Sequence, residues 1–213
     1  RRSSDLKSGF DEPRRFSGES SLNLGRFGAV DGGAPVGGRL TSNVAFFVSG
    51  GANRTDRYLD PPTTDNFHNT GSGQRFTGKL EFRPSAKDFV RTVFSMNGSD
   101  FQTPNRPDAE ADGQDVTQRL RDNAQTVTWL RQLGTSMTLD TVAYRRSATA
   151  GLDALSARPL AATQDRELDH QGVNVALSYS GRGHQVKTGV QYDRNPVTEQ
   201  FRMTGVGTAG DPV

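Results

Sequence analysis

Residues 75–83 run Arg75-Phe76-Thr77-Gly78-Lys79-Leu80-Glu81-Phe82-Arg83, alternating apolar or small with polar side chains without a break. A pleated strand sends successive side chains to opposite faces, so Phe76, Gly78, Leu80 and Phe82 share one face. Arg75, Thr77, Lys79, Glu81 and Arg83 share the other. A soluble sheet meets such a pattern with an aliphatic face that continues across strands into a dry core. A membrane barrel meets it with lipid outside and a wet lumen inside.

Composition favours the second arrangement. Hydrophobic residues make up only 32% of the 213, and mean hydropathy is −0.69, thin for a soluble core of this size. The same values are ordinary for a barrel with a polar interior and long loops. No apolar run is long enough for a transmembrane helix. The 26 basic residues nearly balance the 24 acidic ones at net charge +2, which argues against a nucleic-acid partner. Cysteine is absent, which excludes disulfide frameworks and thiolate metal sites.

The rest of the chain reads as an antiparallel up-and-down meander of about eight strands. They are predicted at about 15–27, 38–50, 75–83, 89–97, 118–131, 136–146, 166–179 and 184–193. Short connections at about 28–35, 84–88, 133–136 and 180–183 alternate with long polar ones at about 51–73, 98–117 and 148–164. Outer-membrane barrels alternate short periplasmic turns with long extracellular loops, whereas soluble sandwiches have no reason to do so. The expected fold is therefore all-β: residues 1–213 form one slice of a larger transmembrane β-barrel, set in outer-membrane lipid of a bacterium. The first strand is expected to descend to the short-turn side and the eighth to ascend, leaving both ends on the long-loop side.

Aromatic residues gather in two groups. Phe27, Phe82, Phe89, Trp129 and Tyr179 stand by the short turns, and Phe76, Phe101, Tyr144 and Tyr192 stand towards the long loops. Two such groups fit interfacial girdles. On the wet face, Arg75, Lys79, Glu81, Arg83, Arg91 and Lys187 are expected to line the lumen. The histidines, His68, His170 and His184, lie on separate segments without metal-site spacing. The acidic run Asp108–Gly113 lacks the downstream glutamate of a calcium loop, and no nucleophile elbow is present. No enzymatic activity, cofactor or metal is expected.

The loops carry a further signal. The run Thr55-Asp56-Arg57-Tyr58-Leu59-Asp60-Pro61-Pro62, followed by Phe67-His68-Asn69 and Gly71, resembles the early barrel of TonB-dependent outer-membrane receptors. Phe101-Gln102-Thr103-Pro104-Asn105, Gly113-Gln114-Asp115, Gln164-Asp165-Arg166 and Glu199-Gln200-Phe201 are similar to that family in order and spacing. The resemblance spans about residues 39–201. It implies a barrel of about 22 strands closed by the protein's own plug domain. It also implies the TonB complex as a partner, engaged through a box ahead of the plug. Neither plug nor box is recognisable within this sequence. The resemblance implies import of a solute bound outside the cell, although the scaffold does not say which solute. It places Arg57, Asp60, Pro61, Pro62, His68, Asn69, Pro104, Asn105, Gln114, Asp165 and Arg166 in extracellular loops, where the Arg-Asp and Pro-Pro elements brace the chain. The other reading of the same meander is a non-transporting structural or adhesive surface β protein.

Overall fold

The computed structural model describes residues 16–181 and 183–205. They build one antiparallel sheet from β1 (Phe16–Gly18), β2 (Ser21–Leu24), β3 (Val30–Arg39), β4 (Val44–Thr55), β5 (Gly71–Ser85) and β6 (Asp88–Gln102). It continues through β7 (Thr117–Leu133), β8 (Met137–Ala154), β9 (Leu160–Gly181), β10 (His184–Arg194) and β11 (Val197–Gly205). A one-turn helix, α1 (Pro107–Ala111), interrupts the connection between β6 and β7. From β3 to β10 each strand pairs with its neighbour in sequence, giving the up-and-down meander that the alternation predicts. The sheet does not close: β1 and β2 run along one edge, and β10 and β11 along the other.

Each edge is two short strands in line, one pair separated opposite a proline and the other at one. β1 and β2 both pair with β3, and their gap lies opposite Ala34 and Pro35. The carbonyl of Pro35 accepts from Glu19 N at 3.2 Å, so its missing N–H falls on this same side. Likewise β10 and β11 both pair with β9, and the gap between them holds Pro196.

The start of the meander differs from expectation. The segment 28–35, predicted as a turn, is mostly strand: β3 pairs with β4 from Val30↔Arg54 to Arg39↔Ala45. The predicted strand 38–50 instead straddles the true turn at 40–43. Its glycines misled, because Gly and Pro usually punctuate strands. Here glycine serves a close approach. A Cβ on Gly33 of β3 would stand 3.4 Å from Arg75 Nη2, and one on Gly51 of β4 would stand 2.9 Å from the guanidinium carbon, because that side chain crosses β4 to reach Asp31 on β3. One consequence is direction: β1–β2 runs towards the long-loop end, not away from it as expected. Arg15, the expected start of this strand, lies outside the described residues.

The later turns fall where predicted, but the strands run further into the predicted loops. The connections observed at that end are 56–70, 103–116 and a five-residue 155–159. Asp165 and Arg166, expected in a loop, lie inside β9.

Register carries the two-faced pattern of β5 across the sheet. The row through Phe82 passes Val44, Val90, Trp129, Thr141, Val175 and Val190. The row through Phe76 starts on Met96 but then meets Asn123, Ser147 and Asp169. The apolar band therefore slides along the register: it covers Phe76–Phe82 on β5 but Met137–Ala143 on β8 and Val173–Tyr179 on β9. It lies oblique to the hydrogen-bond rows, while the same face beyond it is charged.

Burial is inverted relative to a water-soluble sheet. Among the described residues the buried hydrophobic side chains are all alanine: Ala45, Ala154, Ala161 and Ala176. The buried polar ones are Asn69, Lys79, Glu81 and Asn105. Phe76, Leu80, Phe82, Val48, Met96, Val127, Val173 and Tyr192 are all exposed, and all sit on the apolar face.

Candidate functional site

Among the described residues, polar chemistry gathers on the charged face of the sheet, in the layer of loops at its long-loop end, and on the opposite face beyond the apolar band. The expected lumenal residues share one face by register. Glu81 pairs with Arg91 on β6, Lys79 lies two residues along β5, and Lys187 faces Ser178 on β9. Arg91 donates to Glu81 from Nε and approaches it with Nη2, both at 3.0 Å, while Lys79 Nζ lies 3.9 Å away. Glu81 is wholly inaccessible and the Lys79 side chain nearly so, whereas Arg91 is 42% exposed. Lys79 also stands 5.8 Å from the Phe47 ring centroid, and Arg83 stands 5.8 Å from that of Phe89.

Towards the loops the same face is laced by cross-strand ion pairs that patterning had not singled out. Arg75 meets Asp31 at 2.8 Å, Arg166 meets Glu199 at 3.1 Å, and Arg146 pairs with Asp122. His170 lies 3.4 Å from Asp193 and packs edge-on against Tyr144. Hydrogen bonds from Arg166 first, and from Gln164 next, hold the Glu199 carboxyl below the usual carboxylate range. A hollow of about 450 Å³ opens over β6–β9, with Leu120, Asp122, Ala148, Ala150, Arg166 and Leu168 in its lining.

On the opposite face, past the end of the apolar band at Met96, Asp100 binds Arg121 at 2.8 Å and Arg119 at 3.1 Å. The Arg121 hydrogen bond does most to lower the Asp100 pKa, against a rise from partial burial.

Phe89, Phe101 and Tyr144 all fall on the charged face by register. They leave the girdles predicted for them. Phe27 stands at the long-loop end, with Arg57 5.1 Å from its ring centroid. Phe82, Trp129 and Tyr179 keep their place on the apolar face near the short turns.

The loop motifs do come together. Asn69 is the keystone of the 56–70 loop: its Nδ2 donates to Leu59 O at 2.7 Å and to Asn66 Oδ1 at 2.8 Å. Its Oδ1 accepts from Leu59 N at 2.9 Å. Asn105 does the same for the next loop, donating to Glu110 Oε2 and to the Gln114 carbonyl. The two loops are joined where Asn105 N donates to Phe67 O at 3.1 Å; His68 Nε2 also comes within 2.7 Å of Asp115 Oδ1, at an angle that makes no hydrogen bond. Asp115 in turn exchanges two hydrogen bonds with Ser156 in the third loop. Arg57 and Asp60 approach only to 3.9 Å with Asp60 fully exposed, so this pair contributes little. Pro61, Pro62 and Pro104 lie in the same connections.

Sequence reading missed the ring that seats the first loop. Tyr58 stacks on Phe101 with centroids 4.8 Å apart. It lies where a Cβ on Gly71 would stand, 2.3 Å from its ring. The signal was the glycine itself, opening a strand directly after a polar loop.

Asn69→Ala is expected to cost about 1–2 kcal/mol by leaving the partly buried Leu59 amide and carbonyl unpaired. Hydrogen exchange should quicken at Leu59 and through residues 56–70, with β5 and β6 unchanged. An unchanged rate at Leu59 would remove Asn69 from its bracing role.

Compared with known proteins, the chain matches no family model and no curated protein.

Proposed function

We propose that the chain is a section of wall in a transmembrane β-barrel of the outer membrane, of the TonB-dependent transporter kind. In this reading the apolar face meets lipid, the charged face lines the passage, and the braced loops receive solute from outside. The observation that carries it is the inverted burial: bulky apolar side chains are exposed on one continuous face while Glu81 and Lys79 are buried on the other. A soluble domain seldom exposes an apolar patch of this extent. The oblique course of the band supports the same reading, because barrel strands tilt by about 35–45° and stagger in register. Import, the plug and the TonB complex rest on the loop resemblance alone.

The absence of cysteine from these 213 residues makes a test available. The variants Leu80→Cys and Thr77→Cys each add one thiol to this section, on opposite faces of one strand, with the unsubstituted intact protein as the labelling blank. In the intact protein in its native membrane, the Leu80→Cys thiol should react with a lipid-soluble maleimide and resist a charged one. The Thr77→Cys thiol should show the reverse preference. Equal labelling of both variants by the charged reagent would defeat the membrane reading. A deletion strain should then fail to grow on one limiting solute among chelated iron, cobalamin, glycan or peptide. Wild-type growth on all four would leave the wall standing and remove transport.

A further inference from the structure

We propose that Arg131 and Trp129 form a site for the phosphodiester headgroup of a membrane phospholipid, at the short-turn rim of the apolar face. The inference rests on the reading of that face as lipid-facing. On β7 the outward side chains are Val127, Trp129, Arg131 and Leu133, so a cation interrupts an apolar run. Its register neighbours are Asp88 on β6 and Leu139 on β8, with Leu177 beyond on β9.

A guanidinium carries five N–H donors. The ion pair that Arg131 makes among the described residues is with Asp88 Oδ1 at 3.6 Å, beyond hydrogen-bond length. Asp88 is already occupied. Ser85 Oγ donates to its Oδ2 at 2.7 Å, and Trp129 Nε1 donates to its Oδ1 at 3.1 Å. The carboxylate therefore holds the indole in place more than it quenches the arginine. Arg131 Cζ stands 6.0 Å from the Trp129 ring centroid, and its side chain is 47% exposed. Hydrocarbon offers nothing to those donors, whereas a phosphate accepts from a guanidinium fork in two parallel bonds.

Position supports a lipid in preference to a free ion. Leu133 and Leu139 flank the arginine, so acyl chains have a surface to lie on. Gln132 N donates to the Lys87 carbonyl at 2.8 Å, which seats the 86–87 turn and its lysine at the same rim.

The test is native mass spectrometry of the intact protein in mild detergent, titrated with phosphatidylglycerol and with diacylglycerol of the same chains. Wild type should retain phosphatidylglycerol over diacylglycerol. Arg131→Gln should weaken that retention about tenfold, the loss of a hydrogen bond to a charged group. Arg131→Lys should recover most of it through charge, and Arg121→Gln, beyond the band, should change nothing. Phosphatidylglycerol retained equally by Arg131→Gln and wild type would overturn the site, as would its displacement by inorganic phosphate at equal concentration. A protein that stays monodisperse without detergent and retains no lipid would overturn the membrane reading, and the site with it.

Discussion

Glu81→Ala is expected to destabilise the protein by about 3–5 kcal/mol, the usual cost of removing one member of a buried charged group. The expectation follows from burial, not from the number of charges. Glu81 is wholly inaccessible, Arg91 reaches it with two nitrogens at 3.0 Å, and Lys79 shares it at 3.9 Å. Removing the carboxylate leaves two cations on adjacent strands without the anion between them, one of them in a nearly dry environment. Arg91→Gln should cost less, because Arg91 keeps access to water and can be partly replaced by it. Denaturant unfolding of the intact protein in detergent reads the difference directly. A loss under about 1 kcal/mol for Glu81→Ala, the range of an exposed pair, would mean that the cluster is solvated and does not hold the strands.

That prediction could not have been made from the sequence. Alternation at 75–83 assigns Lys79 and Glu81 to the charged face, and the register agrees. Period two reports only which side a residue occupies, not how deeply it sits. Lys79 and Glu81 look like any hydrated wall residues until Ala45 and Phe47 on β4 are seen across from them. The same limit explains the aromatic residues. Phe101 and Tyr144 stand at the right height for a girdle, yet odd and even numbering on strands of unknown register sends them to the other face. β3 was lost for a different reason. Its glycines and Pro35 are turn formers taken locally, yet in the strand Gly33 of β3 leaves room for Arg75, whose side chain crosses Gly51 of β4 to reach Asp31. Where the signal was a clean alternation, as in β5, β6 and β10, the strand was found. Where it was the order of short loop motifs, the residues were found to brace the loops: Asn69 ties its own loop together, while Asn105 N on Phe67 O, with His68 beside Asp115, joins two loops that lie far apart in sequence. Asp165 and Arg166 were misplaced because polar residues extend along strands beyond the apolar band, where nothing in their character separates strand from loop.

Leu80→Arg separates the two architectures that the alternation first allowed. Leu80 is 47% exposed and stands in a row with Phe46, Val127, Ala143 and Val173, within the apolar band. In water, a half-exposed leucine on an open face tolerates arginine within about 0.5 kcal/mol. In a bilayer the same change costs about 2–4 kcal/mol near the midplane and falls towards zero at the interfaces. The band supplies its own calibration, since Arg131 already stands outward near the short turns. A second arginine at Val186, also near those turns, should therefore cost less than one at Leu80. Folding of the intact protein into lipid vesicles is expected to follow that order of depth. If Leu80→Arg, Val186→Arg and the charged-face control Thr77→Arg were all tolerated alike, the apolar face would have to be wet, and a surface β protein standing clear of the membrane would become the better reading.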